Sequence, residues 1–379
     1  MTSRERVKAA AKRKPVDKIP LMLWLEPHTT LKLATGPMPP RNPLYRGVFD
    51  GLRLLSDNLP SKELRNGAPL LAYAVQADYQ RELGADIVDF HFCIYPLMVK
   101  NFTLNRDGFS VTDIYGVTRG MGGMYLESTG HPCETKEALD QYVFPDLSNP
   151  LRYSHIAAYR AMHPDAAIAV MCPGVQDWSQ QWHKMEKLYG GMILYPDTIE
   201  RFFRKMAEHT LQIIRGVLRA GADIVLIGDD YGTHNSMLMS KKMWERFTFP
   251  CLKMQCEEIH RHGGIAMLHS CGFVMPLLDK IVEAGVDMLH PLQQTAGNDL
   301  SAAKAAYGDR LTFVTGLDVM TLSTAGPEEV RESILAAARA AAPGGGFVLC
   351  TTNYLQVDTP LENIDVMFNT IKDIQNGRF

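Results

Sequence analysis

A histidine and a cysteine stand two residues apart in the segment Leu268-His269-Ser270-Cys271-Gly272. If this segment ends a β-strand, the side chains of His269 and Cys271 point to the same side, because successive strand residues face opposite ways. Imidazole nitrogen and thiolate sulfur are ligands that Zn²⁺ prefers, at roughly 2.0–2.3 Å. A buried cysteine beside a hydrogen-bonded histidine would give the same spacing. The segment therefore predicts part of a zinc site if it lies where other polar side chains converge.

Further polar side chains follow other short apolar runs of the chain. Asp229, Asp230 and Tyr231 come after one such run, and we predict that they act in catalysis. An acidic pair at this place can instead cap the next turn by accepting backbone N–H bonds. Cys350 ends another apolar run and is the predicted third metal ligand. The predicted substrate-binding residues are Glu26, Asp89, His91, His234, Gln293 and Asn353.

Short apolar runs alternate with longer helical segments along the chain, which is typical of a parallel sheet built from βα units. The predicted strands are Ile19–Leu25, Asp86–Phe90, Ala167–Cys172, Asp223–Gly228, Ile265–His269, Asp287–Leu292, Leu311–Thr315 and Phe347–Cys350. Eight parallel strands fit an α/β fold of the (β/α)8 TIM barrel type, whose active sites lie at the carboxyl ends of the strands. The polar residues named above would then meet at one mouth.

The same pattern predicts how the chain is organised around this barrel. Three of the runs begin with similar words, Gly84-Ala-Asp-Ile-Val, Ala220-Gly-Ala-Asp-Ile-Val and Ala284-Gly-Val-Asp-Met-Leu, in which Gly ends a helix and Asp enters a strand. We expect an N-terminal arm, a β-hairpin insertion from Val111 to Ser128, and a single domain over residues 1–379. An open doubly wound sheet is the alternative, but no Gly-rich dinucleotide motif follows the first strand.

Composition narrows the classes of partner. The 379 residues are 46% hydrophobic and 21% charged, with 39 Lys+Arg against 42 Asp+Glu. This balance gives no basic field that would favour nucleic acid or an anionic membrane surface. No run approaches the ~18 apolar residues of a membrane span, and seven scattered cysteines do not resemble a secreted disulfide framework. We predict a cytoplasmic protein that binds neither nucleic acid nor membrane.

Several motifs together resemble the uroporphyrinogen decarboxylase superfamily, and more narrowly its corrinoid-dependent methyltransferase branch. The resemblance covers essentially the whole chain. It rests on Thr2-Ser-Arg-Glu-Arg-Val-Lys-Ala-Ala, Lys14-Pro-Val-Asp-Lys-Ile-Pro, Gly228-Asp-Asp-Tyr-Gly-Thr, His269-Ser-Cys-Gly, Ala284-Gly-Val-Asp-Met-Leu-His-Pro-Leu-Gln and Thr359-Pro-Leu-Glu-Asn. It implies a (β/α)8 barrel and, for the methyltransferases, a zinc ion held by His-x-Cys and a cysteine after the last strand.

Two departures from the family pattern bear on function. The decarboxylases carry an arginine-rich motif at the end of strand one, but this chain has Met22-Leu-Trp-Leu-Glu-Pro-His there. Porphyrinogen carboxylates need bidentate cationic partners, so this chain is a poor fit to that substrate. Counting back from Thr359 places Asn353 where the third zinc ligand is expected, with Cys350 three residues earlier. Either Cys350 binds, or another group completes the site, or zinc is absent.

The resemblance implies a zinc-assisted methyltransferase that moves a methyl group between a small methylated compound (an ether, amine or thiol) and a corrinoid. The chain shows no convincing corrinoid-binding segment, because Glu258-Ile-His-Arg-His-Gly fits better as a basic helix end. We therefore expect the cobalamin to arrive on a partner protein, as in O-demethylation systems. The alternatives are a decarboxylase or lyase acting on a small carboxylated substrate, and a non-catalytic ligand-binding protein on the same barrel.

Overall fold

A computed structural model describes residues 1–59, 61–67, 71–72, 75–91, 99–104, 108–122 and 125–379. The described strands are β1 (Leu21–Met22), β2 (Ile87–His91), β3 (Val99–Leu104), β4 (Phe109–Asp113), β5 (Thr118–Gly122), β6 (Tyr125–Gly130), β7 (Ala167–Pro173), β8 (Ile224–Gly228), β9 (Ile265–His269), β10 (Met288–His290), β11 (Thr312–Leu317) and β12 (Phe347–Thr351).

The described α-helices are α1 (Ser3–Ala11), α2 (Pro27–Ala34), α3 (Pro43–Asn58), α4 (Lys62–Gly67), α5 (Gln76–Glu82), α6 (Lys136–Gln141), α7 (Ser154–Met162), α8 (Gln176–Ser179), α9 (Met185–Leu194), α10 (Pro196–Arg219), α11 (Lys241–Phe247), α12 (Phe249–Arg261), α13 (Leu278–Glu283), α14 (Leu300–Tyr307), α15 (Val319–Thr324), α16 (Pro327–Ala341) and α17 (Leu361–Gln375).

Eight of the strands close into a parallel barrel in the order β1-β12-β11-β10-β9-β8-β7-β2. Each of these strands falls on one of the predicted apolar runs, so the (β/α)8 TIM barrel is confirmed. Alternate residues of each strand face the barrel axis and form one apolar cluster, while the residues between them pack under the helices. This alternation decides which polar residues at the strand ends point into the mouth.

The repeated Gly-x-Asp motifs share a structural role. Asp86, Asp223 and Asp287 each begin a barrel strand, and each exchanges two hydrogen bonds with a neighbouring strand. The Asp223 carboxylate, for example, accepts the N–H of Ile168 at 3.3 Å, while its own N–H donates to the Ile168 carbonyl at 2.9 Å. The aspartates therefore continue the parallel ladder past the first residue of each strand.

The predicted N-terminal arm is helix α1, which lies across the amino-terminal end of the barrel. Its residues Val7, Ala10 and Ala11 join the apolar cluster inside the barrel. Its arginines reach the aspartates of the repeated words, with Arg6 Nη1 2.5 Å from Asp86 and Arg4 Nε 2.8 Å from Asp223. The helix thus closes the barrel on the side opposite the mouth.

The insertion after β2 is larger than the predicted hairpin. It is a four-stranded antiparallel sheet in the order β3-β4-β5-β6. Strands β4 and β5 form its central hairpin, where Asp113 Oδ1 accepts the N–H groups of Tyr115 and Val117 at 2.9 and 3.0 Å. Alternation and glycines in the sequence identified this hairpin, and β3 and β6 extend it on either side as antiparallel neighbours in chain order.

Candidate metal centre

Three potential metal ligands converge at the carboxyl ends of β8 and β9. The Asp230 carboxylate, the His269 ring and the Cys271 thiol place their ligand atoms within 4.8 Å of one another. His269 Nε2 lies 3.5 Å from Cys271 Sγ and 3.5 Å from Asp230 Oδ1. Among the residues that the structure describes, this is the one cluster of at least three such side chains.

The two separations from His269 Nε2 suit a tetrahedral zinc ion. With ligand bonds of about 2.0–2.3 Å, tetrahedral angles put neighbouring ligand atoms roughly 3.3–3.5 Å apart. The two distances from His269 Nε2 are both 3.5 Å, and nitrogen, sulfur and carboxylate oxygen are all zinc ligands. Three protein ligands would leave one position open, as in catalytic zinc sites. The residues present therefore fit the metal that the sequence predicted.

The alternation of side chains explains why Asp230 enters the cluster. Ile224 and Leu226 of β8 face the barrel axis, and continuing the period of two brings Asp230 to the same side. On β9, Met267 faces the axis, so His269 and Cys271 follow it. The three clustered side chains therefore all lie on the side of their strands that faces the barrel axis.

The loop after β9 is held in place by side chains on both sides of it. Asp230 Oδ1 accepts the N–H of Cys271 at 2.7 Å, and Gln293 Oε1 accepts the N–H of Gly272 at 2.6 Å. Asn298 Nδ2 donates to the Gly272 carbonyl at 2.9 Å. Gln293, predicted to bind substrate, therefore contacts the backbone of the loop that carries Cys271.

Two glycines allow the loops after β8 and β9 to cross in contact. A Cβ atom on Gly272 would lie 2.4 Å from the backbone carbon of Gly232 and 2.5 Å from the Thr233 carbonyl oxygen. Gly272 also has a φ of +83°, which L side chains rarely adopt. The crossing fixes the backbone on which Asp230 and Cys271 are carried.

Asn353, predicted to bind substrate, lies beside the cluster. Its side-chain Nδ2 donates toward Cys271 Sγ at 3.4 Å, and its Oδ1 accepts the N–H of Tyr354 at 2.6 Å. Burial raises the pKa of the Cys271 thiol above its usual range, with Asp230 adding to the shift and the Asn353 hydrogen bond opposing it. A bound cation would reverse this balance and favour the thiolate.

Cys350 does not join the cluster, contrary to its predicted role as the third metal ligand. The residue is fully buried in the apolar interior of the barrel, in the same cluster as Met22 and Trp24. Burial raises the pKa of its thiol well above the usual value. The carboxylate of Asp230 stands in its place beside His269 and Cys271.

Asp229, predicted to act in catalysis, faces away from the cluster. Its two carboxylate oxygens accept the N–H of Asp177 at 2.7 Å and the N–H of Val175 at 3.2 Å. This is the capping role that an acidic pair at a strand end can also have. Burial raises its pKa to about 7. The side chain therefore ties the loop after β7 to the loop after β8.

Asp177 is a candidate site residue that the sequence did not reveal. It follows β7 in the loop that Asp229 holds, and burial together with the Asp230 charge raises its pKa to about 7. Burial also raises the pKa of Asp230. The mouth thus holds a second carboxyl group near the candidate ligands. The alternation of β7 could have indicated it, because Asp177 lies four residues after Pro173 and so has the same place in the alternation of side chains.

Tyr231, also predicted to be catalytic, points into the surrounding core. Its ring centroid lies 5.2 Å from that of Trp244, and the residue is buried. Its backbone N–H donates to Ser270 Oγ at 2.9 Å. Because Tyr231 follows Asp230 by one position, its side chain points to the opposite side of the chain. Its contacts support packing and loop positioning.

Glu26 and Asp89, two of the predicted substrate-binding residues, are buried and hydrogen-bonded. Glu26 caps α2, with its Oε2 accepting the N–H of Thr29 at 3.0 Å, and its Oε1 contacts His28. Asp89 Oδ1 accepts Gln80 Nε2 at 2.7 Å, and burial raises the pKa of this carboxyl to about 6. Their contacts are with the protein's own groups.

His234 and His91 are the two remaining predicted substrate-binding residues. His234 is exposed on the turn after β8, within the bridge between Gly232 and Met237. His91 ends β2, but its side chain lies outside the part of the chain that the structure describes. The role predicted for His91 therefore stays a prediction.

The fold and the site define a (β/α)8-barrel protein with a histidine, a thiol and a carboxylate gathered at its mouth. Residues 179–374, just over half of the chain, match the family model described as uroporphyrinogen decarboxylase (URO-D). This chain belongs to the uroporphyrinogen decarboxylase family. The family resemblance expected from the motifs is thereby confirmed.

Curated relatives include both decarboxylases and a methyltransferase. The uroporphyrinogen decarboxylase of Coxiella burnetii is 22% identical over 47% of this chain and 48% of its own length. The methylcobamide:CoM methyltransferase MtaA of Methanosarcina barkeri is 26% identical over 45% of this chain and 48% of its own length. The chain thus spans about half the length of these relatives, and the second match supports the resemblance to the methyltransferase branch.

A solved structure extends the likeness of fold to nearly the whole chain. A methyltransferase from Methanosarcina mazei superposes with a TM-score of 0.68 at 20% identity, covering 98% of this chain and 99% of that one. At this identity the match supports the barrel architecture. Within the described residues, none of the helices has the length and apolar character needed to cross a membrane.

Proposed function

We propose that this chain is a zinc-assisted methyltransferase that moves a methyl group between a small methylated compound and a corrinoid carried by a partner protein. The observation that carries the proposal is the convergence of His269, Cys271 and Asp230 at the barrel mouth, with separations that suit zinc. The similarity to a methylcobamide:CoM methyltransferase supports the choice of chemistry.

When bound, zinc would act as a Lewis acid on the heteroatom that gives up or takes the methyl group. The ligand set suits this task, because one thiolate and one carboxylate balance the charge of a divalent ion. Asn353 would support the thiolate by donating a hydrogen bond to Cys271 Sγ, and Gln293 would hold the loop that carries it. Asp177 adds a carboxyl group near the ligands that can hold a proton close to neutral pH.

Porphyrinogen decarboxylation is the less favoured function, although several relatives carry that name. The place where a decarboxylase needs arginines ends in Glu26, whose carboxylate is occupied by the cap of α2. A substrate with many carboxylates would meet an acidic group there. A decarboxylase or lyase acting on a smaller acid, or a protein that binds a ligand without turnover, is separated from methyl transfer by the experiment below.

The test measures metal content and methyl transfer on the same preparation. Protein purified without chelator should contain zinc near one ion per chain, and H269A and C271A should lose it. With free reduced cobalamin and a panel of phenyl methyl ethers, methylated amines and thioethers, the visible spectrum should show methylcobalamin. Carbon dioxide release without metal dependence would overturn the proposal in favour of a decarboxylase. Ligand retention without turnover would overturn it in favour of a binding protein.

A further inference from the structure

His290 lies directly behind the candidate metal ligand His269, on the neighbouring strand. The two residues pair in register across β9 and β10, and their Nδ1 atoms are 2.8 Å apart. The other ring nitrogen of His290, Nε2, is 2.9 Å from the carbonyl oxygen of Thr351. His290 is fully buried. It therefore links the metal ligand to a backbone carbonyl of β12.

The Thr351 carbonyl determines which ring nitrogen of His290 carries a hydrogen, and through it which nitrogen of His269 donates. A carbonyl oxygen accepts and cannot donate, so His290 Nε2 must carry a hydrogen. Neutral imidazole has one N–H, which leaves His290 Nδ1 as an acceptor. His269 Nδ1 must then donate to it. In neutral His269 the remaining nitrogen, Nε2, then carries no hydrogen, and its lone pair faces Cys271 Sγ and Asp230 Oδ1, each 3.5 Å away.

The surroundings keep His290 neutral and fixed in place. His290 is fully buried, and its ring nitrogens contact a carbonyl and an imidazole, neither of which supplies a negative charge, so the buried ring is stable in its neutral form. The Trp24 ring packs against both imidazoles, with centroid distances of 4.5 Å to His290 and 4.8 Å to His269. The backbone N–H of Trp24 donates to Thr351 Oγ1 at 2.9 Å, and the backbone N–H of Ser270 donates to the His290 carbonyl at 2.8 Å. These contacts hold the two imidazole rings in their positions.

We propose that His290 is a positioning residue, which holds His269 in its Nδ1–H tautomer so that His269 Nε2 faces the metal position as a ligand. This inference rests on the zinc centre of the proposed function. Metal-binding histidines commonly donate their other N–H to a carboxylate, carbonyl or water. A neutral imidazole in that role adds no charge, so the balance between a divalent ion, the Cys271 thiolate and the Asp230 carboxylate is preserved.

A pair of substitutions separates the two hydrogen bonds of His290. In H290N, the amide oxygen stands near the position of Nδ1 and can accept from His269. In H290Q, the amide nitrogen stands near the position of Nε2 and can donate to Thr351, but the acceptor for His269 is misplaced. Both replace a buried ring by an amide, so each serves as the other's control for lost packing.

Zinc affinity, measured by competition with a chromophoric chelator, is the first measurement. H290N should bind zinc within a few-fold of the unmodified protein, and H290Q should bind it about 10–100-fold more weakly, the range for loss of an outer hydrogen-bond partner. Thermal melts of the metal-free variants would show whether either fails to fold. Equal zinc affinities in the two variants would overturn the proposal.

A second measurement needs no variant and no turnover. In metal-free protein with ¹⁵N-labelled histidine, ring nitrogen chemical shifts should show the Nδ1–H tautomer for His269 and the Nε2–H tautomer for His290 near pH 7. The reverse assignment would overturn the inference even if zinc binds and methyl transfer is found. Conversely, an absence of zinc or methyl transfer with the expected tautomers would count against the proposed function alone.

Discussion

Replacing Gly272 by alanine should damage both the fold and the metal site, by an amount that can be separated into two parts. The positive φ of Gly272 costs an L side chain about 1–2 kcal/mol. The added Cβ would also lie 2.4–2.6 Å from backbone atoms of Gly232 and Thr233, which cannot rotate away. Overpacking of this kind costs roughly 1–3 kcal/mol. We expect G272A to lower the free energy of unfolding by about 2–5 kcal/mol in total.

The matched control is Gly263, which lies between α12 and β9. It has a φ of +73°, but a Cβ there would meet nothing within 4 Å. G263A should therefore lose the conformational part alone, about 1–2 kcal/mol. Denaturant unfolding of both variants measures the difference, and zinc competition should show weakened binding in G272A with unchanged binding in G263A. Equal losses of stability, or unchanged zinc binding in G272A, would refute the close crossing of the two loops.

Three further predictions concern the carboxylates and a buried histidine. D230N should weaken zinc binding by more than the roughly 100-fold that marks the upper range for outer contacts, whereas C350A should leave it unchanged; chelator competition would expose the opposite ranking if Cys350 were the ligand. D229A leaves two backbone N–H groups without their acceptor, so the free energy of unfolding should fall by about 2–6 kcal/mol, with D229N recovering part of it in denaturant titrations. Burial lowers the pKa of His209 from 6.5 to about 4. As the pH falls from 6.5 to about 4, the unfolded chain takes up a proton at this residue and the folded chain does not, so the free energy of unfolding should fall by on the order of 3 kcal/mol. H209F should remove this part of the pH dependence of unfolding, and an unchanged slope would contradict it.

The barrel itself could be predicted because its signal is local and repeated. Each strand is a short apolar run that begins or ends at a recognisable residue, as at Asp223 and His269. His269 and Cys271 were also within reach of the sequence, since a period of two places both on one side. The four-stranded insertion was underestimated because the predicted segment starts at Val111 and so leaves out β3, which pairs with β4.

The third candidate ligand could not be chosen from the sequence, for a reason specific to parallel barrels. Both faces of such strands are buried, so their residues are apolar throughout and carry no inside-outside pattern. Nothing local to Phe347–Thr351 shows that Cys350 faces the axis beneath the mouth. The preference for Asp230 over Asp229 likewise follows from the closed register with β9. Asp177 became a candidate once its burial beside Asp230 was known.

Helix α1 has a consequence for how reactants would travel. Its apolar residues stop the lower end of the barrel, and Thr312 Oγ1 donates to the Ala10 carbonyl at 2.9 Å to fasten it. Reactants cannot enter along the barrel axis from the end that α1 covers. A methyl donor and a methyl acceptor would therefore use the same upper entrance, and both would have to be present together for the methyl group to move directly from one to the other. Steady-state kinetics should then show a ternary complex that forms in a fixed order, with inhibition when an excess of the second reactant binds first.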